Sequence, residues 1–190
     1  MDACKTRRFS ASDLVRCALG AALICVCSWI TIPGPVPFTL QTFAVACVLG
    51  LLGGRNGTIS VLCYLALGAA GLPVFHGFTG GIGVLLGATG GYLAGFIAMG
   101  LVYRLLAGRE PPVWRMALAL ILGLAVCYLL GTLWFARVYT GASGPIGFRA
   151  ALALCVWPFL PFDAVKLALA VTIARVLGPR LRRSAVAFDQ

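Results

Sequence analysis

Apolar residues fall in six long runs, separated by short polar, glycine-rich or proline-rich stretches. The first runs from about Leu14 to Ile32 and ends in "TIPGPVPFT". The second, Leu40 to Leu52, is stopped by "GGRNG", and the third, Thr58 to Leu72, by Pro73. A stretch reading "PVFHGFTGGIGVLLGATGG" precedes the fourth, Gly91 to Leu106, which ends in "AGREPP". The fifth is Trp114 to Phe135. After "YTGASGPIG" an apolar lead-in, Ala150 to Leu160, brings the sixth, Phe162 to Leu177. These runs predict membrane-spanning helices, although a crossing takes about 20 residues and runs two, three and six offer fewer. The stretches after runs one, three and five are apolar rather than charged. Irregular backbone at membrane depth is tolerated only where it is buried in protein or lines a cavity. They are expected to fold back over the helices and roof an outward-facing pocket.

Composition agrees. Of 190 residues, 61% are hydrophobic and 11% charged, against about 25% charged in a soluble domain. Too little polar surface exists to coat a water-facing globule. The expected class is therefore an all-α integral membrane protein, a bundle of six transmembrane helices. It forms one domain over 1–190: an N-terminal segment 1–13, the bundle 14–177 and a tail 178–190.

Charge adds orientation. The net charge of +10 suggests nucleic acid until its placement is read. Lys5, Arg7, Arg8 and Arg16 lie before or at the start of the first run; Arg175, Arg180, Arg182 and Arg183 lie at the end of the last. Arg55, Arg104, Arg109 and Arg115 sit in the two turns between; only Arg137 and Arg149 lie in the remaining loops, with Lys166 inside the last apolar run. This is the positive-inside pattern, not a basic groove, so no nucleic-acid partner is expected. Both termini are placed in the cytoplasm, which agrees with an even number of spans. No cleavable signal peptide is evident. The eight cysteines show no metal spacing and read as small apolar residues.

Candidate chemistry is sparse. Asp163 and Lys166 stand on one helical face within the last apolar stretch. Intramembrane charges are costly and usually functional. The two either form a self-satisfied pair that fixes packing, or point into the pocket and hold a polar ligand. A helix N-terminus at Asp163 favours its negative charge. In "IPGPVPFTLQT", Pro33, Pro35 and Pro37 stiffen an extended path. Thr39 and Gln41 follow, either as a capped turn or as a polar wall of the site. The glycine-rich stretch, including Gly80, Gly81 and Gly91, lacks the Lys-Ser/Thr ending of a phosphate-binding loop. It lets backbone approach a ligand or another helix. Phe75, Phe78 and Tyr92 offer aromatic faces, and His76 is the lone histidine. Ala18 and Ala22, like Gly91 and Gly95, have the small-xxx-small spacing of close helix contacts. No catalytic or metal-binding set is visible, and Asp163 is the only acid in the apolar core.

Taken together, "ALGAALICVCSWITIPGPVPFTLQTF", "GLPVFHGFTGGIGVLLGATGGYLAGF" and "PFLPFDAVKLALA" resemble the hallmark segments of the BioY family. That family comprises the biotin-specific substrate-capture (S) components of energy-coupling factor transporters. The resemblance spans about residues 14–177. It implies a six-helix bundle that binds biotin near the outer face, under the loops after helices one, three and five. It implies a transmembrane coupling subunit and two ATPase subunits as partners, and the plasma membrane of a prokaryote as location. No cofactor is expected in this chain, ATP being used by the partners alone. Ala18 and Ala22 match the family's docking motif for the coupling subunit. Asp163 and Lys166 match its biotin-recognising Asp-x-x-Lys. This chain has Phe162 where the family usually has glycine. The residues alone leave two other classes open: a membrane-embedded transferase using Asp163 and Lys166 as acid and base, and a structural subunit.

Overall fold

A computed structural model describes residues 10–188 except 35, 109–110, 142–143 and 146. Thr140, Gly141, Gly144, Pro145 and residues 182–188 are described in backbone only. Lys5, Arg7, Arg8, Pro35 and Arg109 thus lie outside the described residues, and the Arg182 and Arg183 side chains are not described. Helices account for most of the chain: α1 (Ala11–Trp29), α2 (Gln41–Ala69), α3 (Ile82–Leu86), α4 (Gly90–Ala107), α5 (Val113–Val138), α6 (Phe148–Cys155) and α7 (Leu160–Phe188). A tiny antiparallel hairpin, β1 (Thr31–Ile32) with β2 (Phe38–Thr39), links α1 to α2. A second, β3 (Thr140–Gly141) with β4 (Gly144–Pro145), follows α5.

Local chemistry sets the boundaries. Ser10 caps α1 in a capping box with Asp13, satisfying N–H groups that the first turn leaves open. Inside α2, Gly53 sits at φ 79° and ψ 170°, backbone that side chains resist. The chain reverses there. A Cβ placed on Gly57 would stand 2.9 Å from the Leu49 Cα. Gln41 Nε2 donates to the Tyr64 hydroxyl at 2.7 Å. In a straight helix these two residues would be about 35 Å apart. So α2 is a tight helical hairpin, and the expected stop at "GGRNG" coincides with its tip. Four helices, α1, α2, α4 and α5, are long and apolar enough to cross a membrane. A fifth span arises if α6 and α7, bent by 52°, act as one. Helix α7 does not stop at the expected 177; it passes through Pro179 and extends to Phe188.

Packing is closest between α4 and α5, where glycines interlock. A Cβ at Gly95 would meet the Cys127 backbone, and Gly131 receives the Tyr92 ring. Gly91 lies against Trp134. The Gly91/Gly95 spacing is therefore consumed inside the bundle, as small residues are when helices approach in lipid. The opposite surface is greasy: Leu105 is 80% exposed, Trp114 68% and Leu19 65%. Many large apolar side chains face outward in this way, as lipid solvation requires.

Five arginines gather at one end, while Arg137, in the last turn of α5, and Arg149, in the first turn of α6, lie toward the other. Asn56, at the α2 tip, donates to Asp13 at the start of α1 (2.8 Å). The Arg104 backbone lies against Gly54, and Ala174 of α7 against Gly50. Arg115 Nε donates to the Leu106 carbonyl at 2.6 Å. Arg16, Arg55, Arg104, Arg115 and Arg175 thus share that end. The loops at the other end are pinned onto the bundle. Trp29 Nε1 donates to the Pro73 carbonyl and Trp134 Nε1 to the Gly87 carbonyl, both at 2.9 Å. Trp29 also stacks on Phe78, centroids 5.0 Å apart.

Candidate functional site

Beneath those loops lies a buried polar cluster built from three separate parts of the chain. Asp163, in the first turn of α7, and Lys166, one turn on, are 3% and 7% exposed. Lys166 Nζ lies 2.8 Å from Asp163 Oδ1. It also donates to the Thr39 carbonyl at 2.7 Å and to Thr42 Oγ1 at 3.2 Å, so all three ammonium hydrogens are engaged. Thr42 Oγ1 donates to Asp163 Oδ1 at 3.1 Å, and Tyr128 of α5 donates to Oδ2. The Lys166 ammonium sits 4.0 Å above the Phe38 ring centroid, a cation–π contact. Phe38 in turn stacks on Phe159 (5.8 Å) and meets the Phe162 ring edge-on (5.2 Å).

Phe162 raises no backbone difficulty. Asp163 N–H donates to the Phe159 carbonyl at 2.8 Å in regular helical fashion, and Phe162 lies in the negative-φ region. Its side chain points outward, 58% exposed, and caps the Phe38 ring. The position carries an aromatic brace.

The cluster forms one wall of a pocket. Of the expected contacts, Thr39, Gln41, His76, Tyr92, Asp163 and Lys166 all line it. Apolar and aromatic groups complete it: Val36, Pro37, Leu93, Phe96 and Phe159 among them. Burial pushes the His76 imidazole below its ordinary value, which keeps it neutral at pH 7. The other four candidates are not part of this wall. Phe75 is fully buried against Gly68 and the Tyr64 ring. Gly80 packs on the Leu72 carbonyl, and Gly81 (φ 97°) donates its N–H to the Gly68 carbonyl at 2.7 Å. Gly91 serves the α4–α5 contact. Thr42, Tyr128, Phe38 and Phe159 escaped the sequence reading. Tyr128 had one readable signal: a lone hydroxyl in the apolar run "AVCYLLG" must find a partner when buried. Ala18 and Ala22 are exposed on the outer face of α1.

The walls leave only about 70 Å³ of open space, whereas small-molecule sites span about 300–1,000 Å³. Entry of a ligand therefore requires the loops or the Lys166 side chain to give way. The groups present offer one carboxylate acceptor and cationic, amide and hydroxyl donors, set in apolar walls. That inventory suits a compact polar ring on an aliphatic body. Among the described residues no group of three or more His, Cys, Asp or Glu side chains is placed to hold a metal ion.

The biotin transporter BioY of Thermotoga maritima is 44% identical over 164 residues, covering 85% of this chain and 93% of that protein. A probable biotin transporter BioY of Pyrococcus horikoshii is 41% identical over 168 residues, 88% and 96% of the two chains. The crystal structure of the S-component for biotin from an ECF-type ABC transporter superposes with a TM-score of 0.78. It is 30% identical and covers 94% of both chains. The BioY family model itself matches residues 4–183. On sequence and on fold, the chain belongs to the BioY family.

Proposed function

We propose that this protein is the biotin-capturing S component of an ECF-type uptake system, a transport subunit and not an enzyme. The observation that carries the reading is the match, over 94% of the chain, to the S-component for biotin. The pocket supplies the chemistry. Biotin presents two ureido N–H donors, a ureido oxygen and a terminal carboxylate. Asp163 accepts from the ureido N–H groups. Lys166 donates to the ureido oxygen or to the carboxylate. Thr39, Gln41, His76 and Tyr92 complete the polar rim, while Phe96, Phe159 and Leu93 hold the apolar body.

Placement in the fold supports a finer assignment. Counting the two arms of the α2 hairpin separately, and α6 with α7 as one bent span, gives six crossings in a single membrane domain. The arginine-rich end is cytoplasmic, by the positive-inside rule, and with it both termini; the pocket then faces outward. The location is the plasma membrane of a prokaryote. Biotin is the cargo; ATP is used by two partner ATPases that act through a membrane coupling subunit. The exposed Ala18/Ala22 stripe is where that subunit docks.

Equilibrium binding of labelled biotin to purified protein tests the reading. Replacing Asp163 by Asn removes the charge from its hydrogen bonds to ligand, worth about 1.5–3 kcal/mol each. Affinity should fall at least about tenfold while the protein stays monodisperse. Unchanged affinity removes Asp163 from the site. No binding by the unaltered protein removes biotin as its ligand.

A further inference from the structure

The polar pocket is not the roomiest space in the bundle. Behind the Tyr128–Asp163 hydrogen bond, α5 and α7 diverge and leave a cleft of about 640 Å³. Ala117, Ile121 and Ala125 of α5 face Ala164, Ala168 and Val171 of α7 across it. Tyr128 and Asp163 close one end. An apolar cavity of this kind does not hold water. In a bilayer it is open to hydrocarbon.

Its dimensions and its far end specify which hydrocarbon. From Ala117 to Tyr128 the helix rises about 17 Å, close to one leaflet of a hydrocarbon core about 30 Å thick. Two residues continue the lining stripes beyond the cleft. Trp114, three before Ala117 on α5, is 68% exposed. Arg175, four after Val171 on α7, is exposed, and its side chain makes no hydrogen bond or ion pair among the described residues. Tryptophan and arginine at the end of an acyl-length groove mark headgroup depth. A guanidinium matches phosphate in geometry and charge.

We propose that the α5–α7 cleft binds one anionic phospholipid, with an acyl chain along the cleft and its phosphate at Arg175. The site rests on the chain's being membrane-embedded and not on the identity of the pocket's ligand. The end of the acyl chain then abuts Tyr128, the residue that holds Asp163 Oδ2.

Native mass spectrometry of the full-length protein in mild detergent tests this. Phosphatidylglycerol and phosphatidylcholine of identical acyl chains are each added. The expected spectrum retains one phosphatidylglycerol per chain, with at least tenfold less phosphatidylcholine. Ala168→Phe, which fills the cleft, should remove the adduct; Ala125→Phe fills it from the opposite wall should the first variant fold poorly. Arg175→Gln should lower phosphatidylglycerol retention to the phosphatidylcholine level. Equal retention of both lipids by the unaltered protein overturns the proposal. So does an adduct that survives Ala168→Phe, or a dimer that Ala168→Phe dissolves, since a second copy would then fill the cleft. Biotin binding by the same samples reports separately on the pocket.

Discussion

Replacing Lys166 by Met should destabilise the protein more than replacing Lys166 and Asp163 together. In the single variant Asp163, 3% exposed, loses the ammonium 2.8 Å from Oδ1 and keeps only Thr42 and Tyr128 as donors. The Thr39 carbonyl also loses its 2.7 Å donor. Splitting a buried pair costs about 3–5 kcal/mol, because one charge is left without its partner. For a chain of this size each kcal/mol lowers Tm by about 2–4 °C, so the single change should cost about 6–20 °C. With Asp163→Asn added, no charge remains in the cluster; the amide oxygen still accepts from Thr42, and the amide NH2 donates to the Tyr128 hydroxyl oxygen. Most of the loss should return. Thermal unfolding of detergent-solubilised protein, followed by intrinsic tryptophan fluorescence, measures both. Biotin binding, lost in both variants, separates packing from recognition. If Lys166→Met melts with the unaltered protein, or the double variant melts as low as the single one, the buried-charge reasoning is refuted.

Three further outcomes are expected. Gly53→Ala forces a side chain into left-handed backbone at the α2 tip; it should cost about 1–2 kcal/mol, read as a lower midpoint in the same melt. Phe162→Gly removes an aromatic brace and installs a residue about 0.5 kcal/mol worse than phenylalanine in a helix; it should lower Tm by a few degrees yet leave biotin affinity within about threefold. Because burial depresses the His76 pKa below 6.5, the unfolded chain takes up that proton first as pH falls. The stability contributed at this position should be constant above that value and decline below it. His76→Gln should flatten that part of the pH–Tm profile.

The spans were legible because lipid reverses the usual constraint: apolar residues face outward as well as inward, so each helix reads as an unbroken run. The stop at "GGRNG" was readable since glycine at Gly53 marks a turn that side chains resist. Asp163 and Lys166 announced themselves by rarity. What pattern could not give was which neighbours share a place in space. Thr42 and Tyr128 belong to different helices and meet Asp163 only in the folded bundle. Phe75 and Gly91 fall in the same glycine-rich stretch as His76 and Tyr92, yet they pack against helices. Glycine composition signals close approach and not what is approached. Phe162 occupies ordinary helix, because its constraint is a ring contact and not a backbone angle.

The saturation of Lys166 and Asp163 by each other and by Thr39, Thr42 and Tyr128 has a consequence for selectivity under the proposed function. Any incoming molecule must trade places with contacts the protein already makes to itself. A molecule rich only in acceptors would satisfy the ammonium and strand the carboxylate. One rich only in donors would do the reverse. Only a visitor bringing both, at a matching distance, completes the exchange without leaving a buried charge short of partners. Discrimination of this kind needs no close-fitting cavity. In the proposed role, the pair screens candidates by whether they can replace its own partnership on both sides at once.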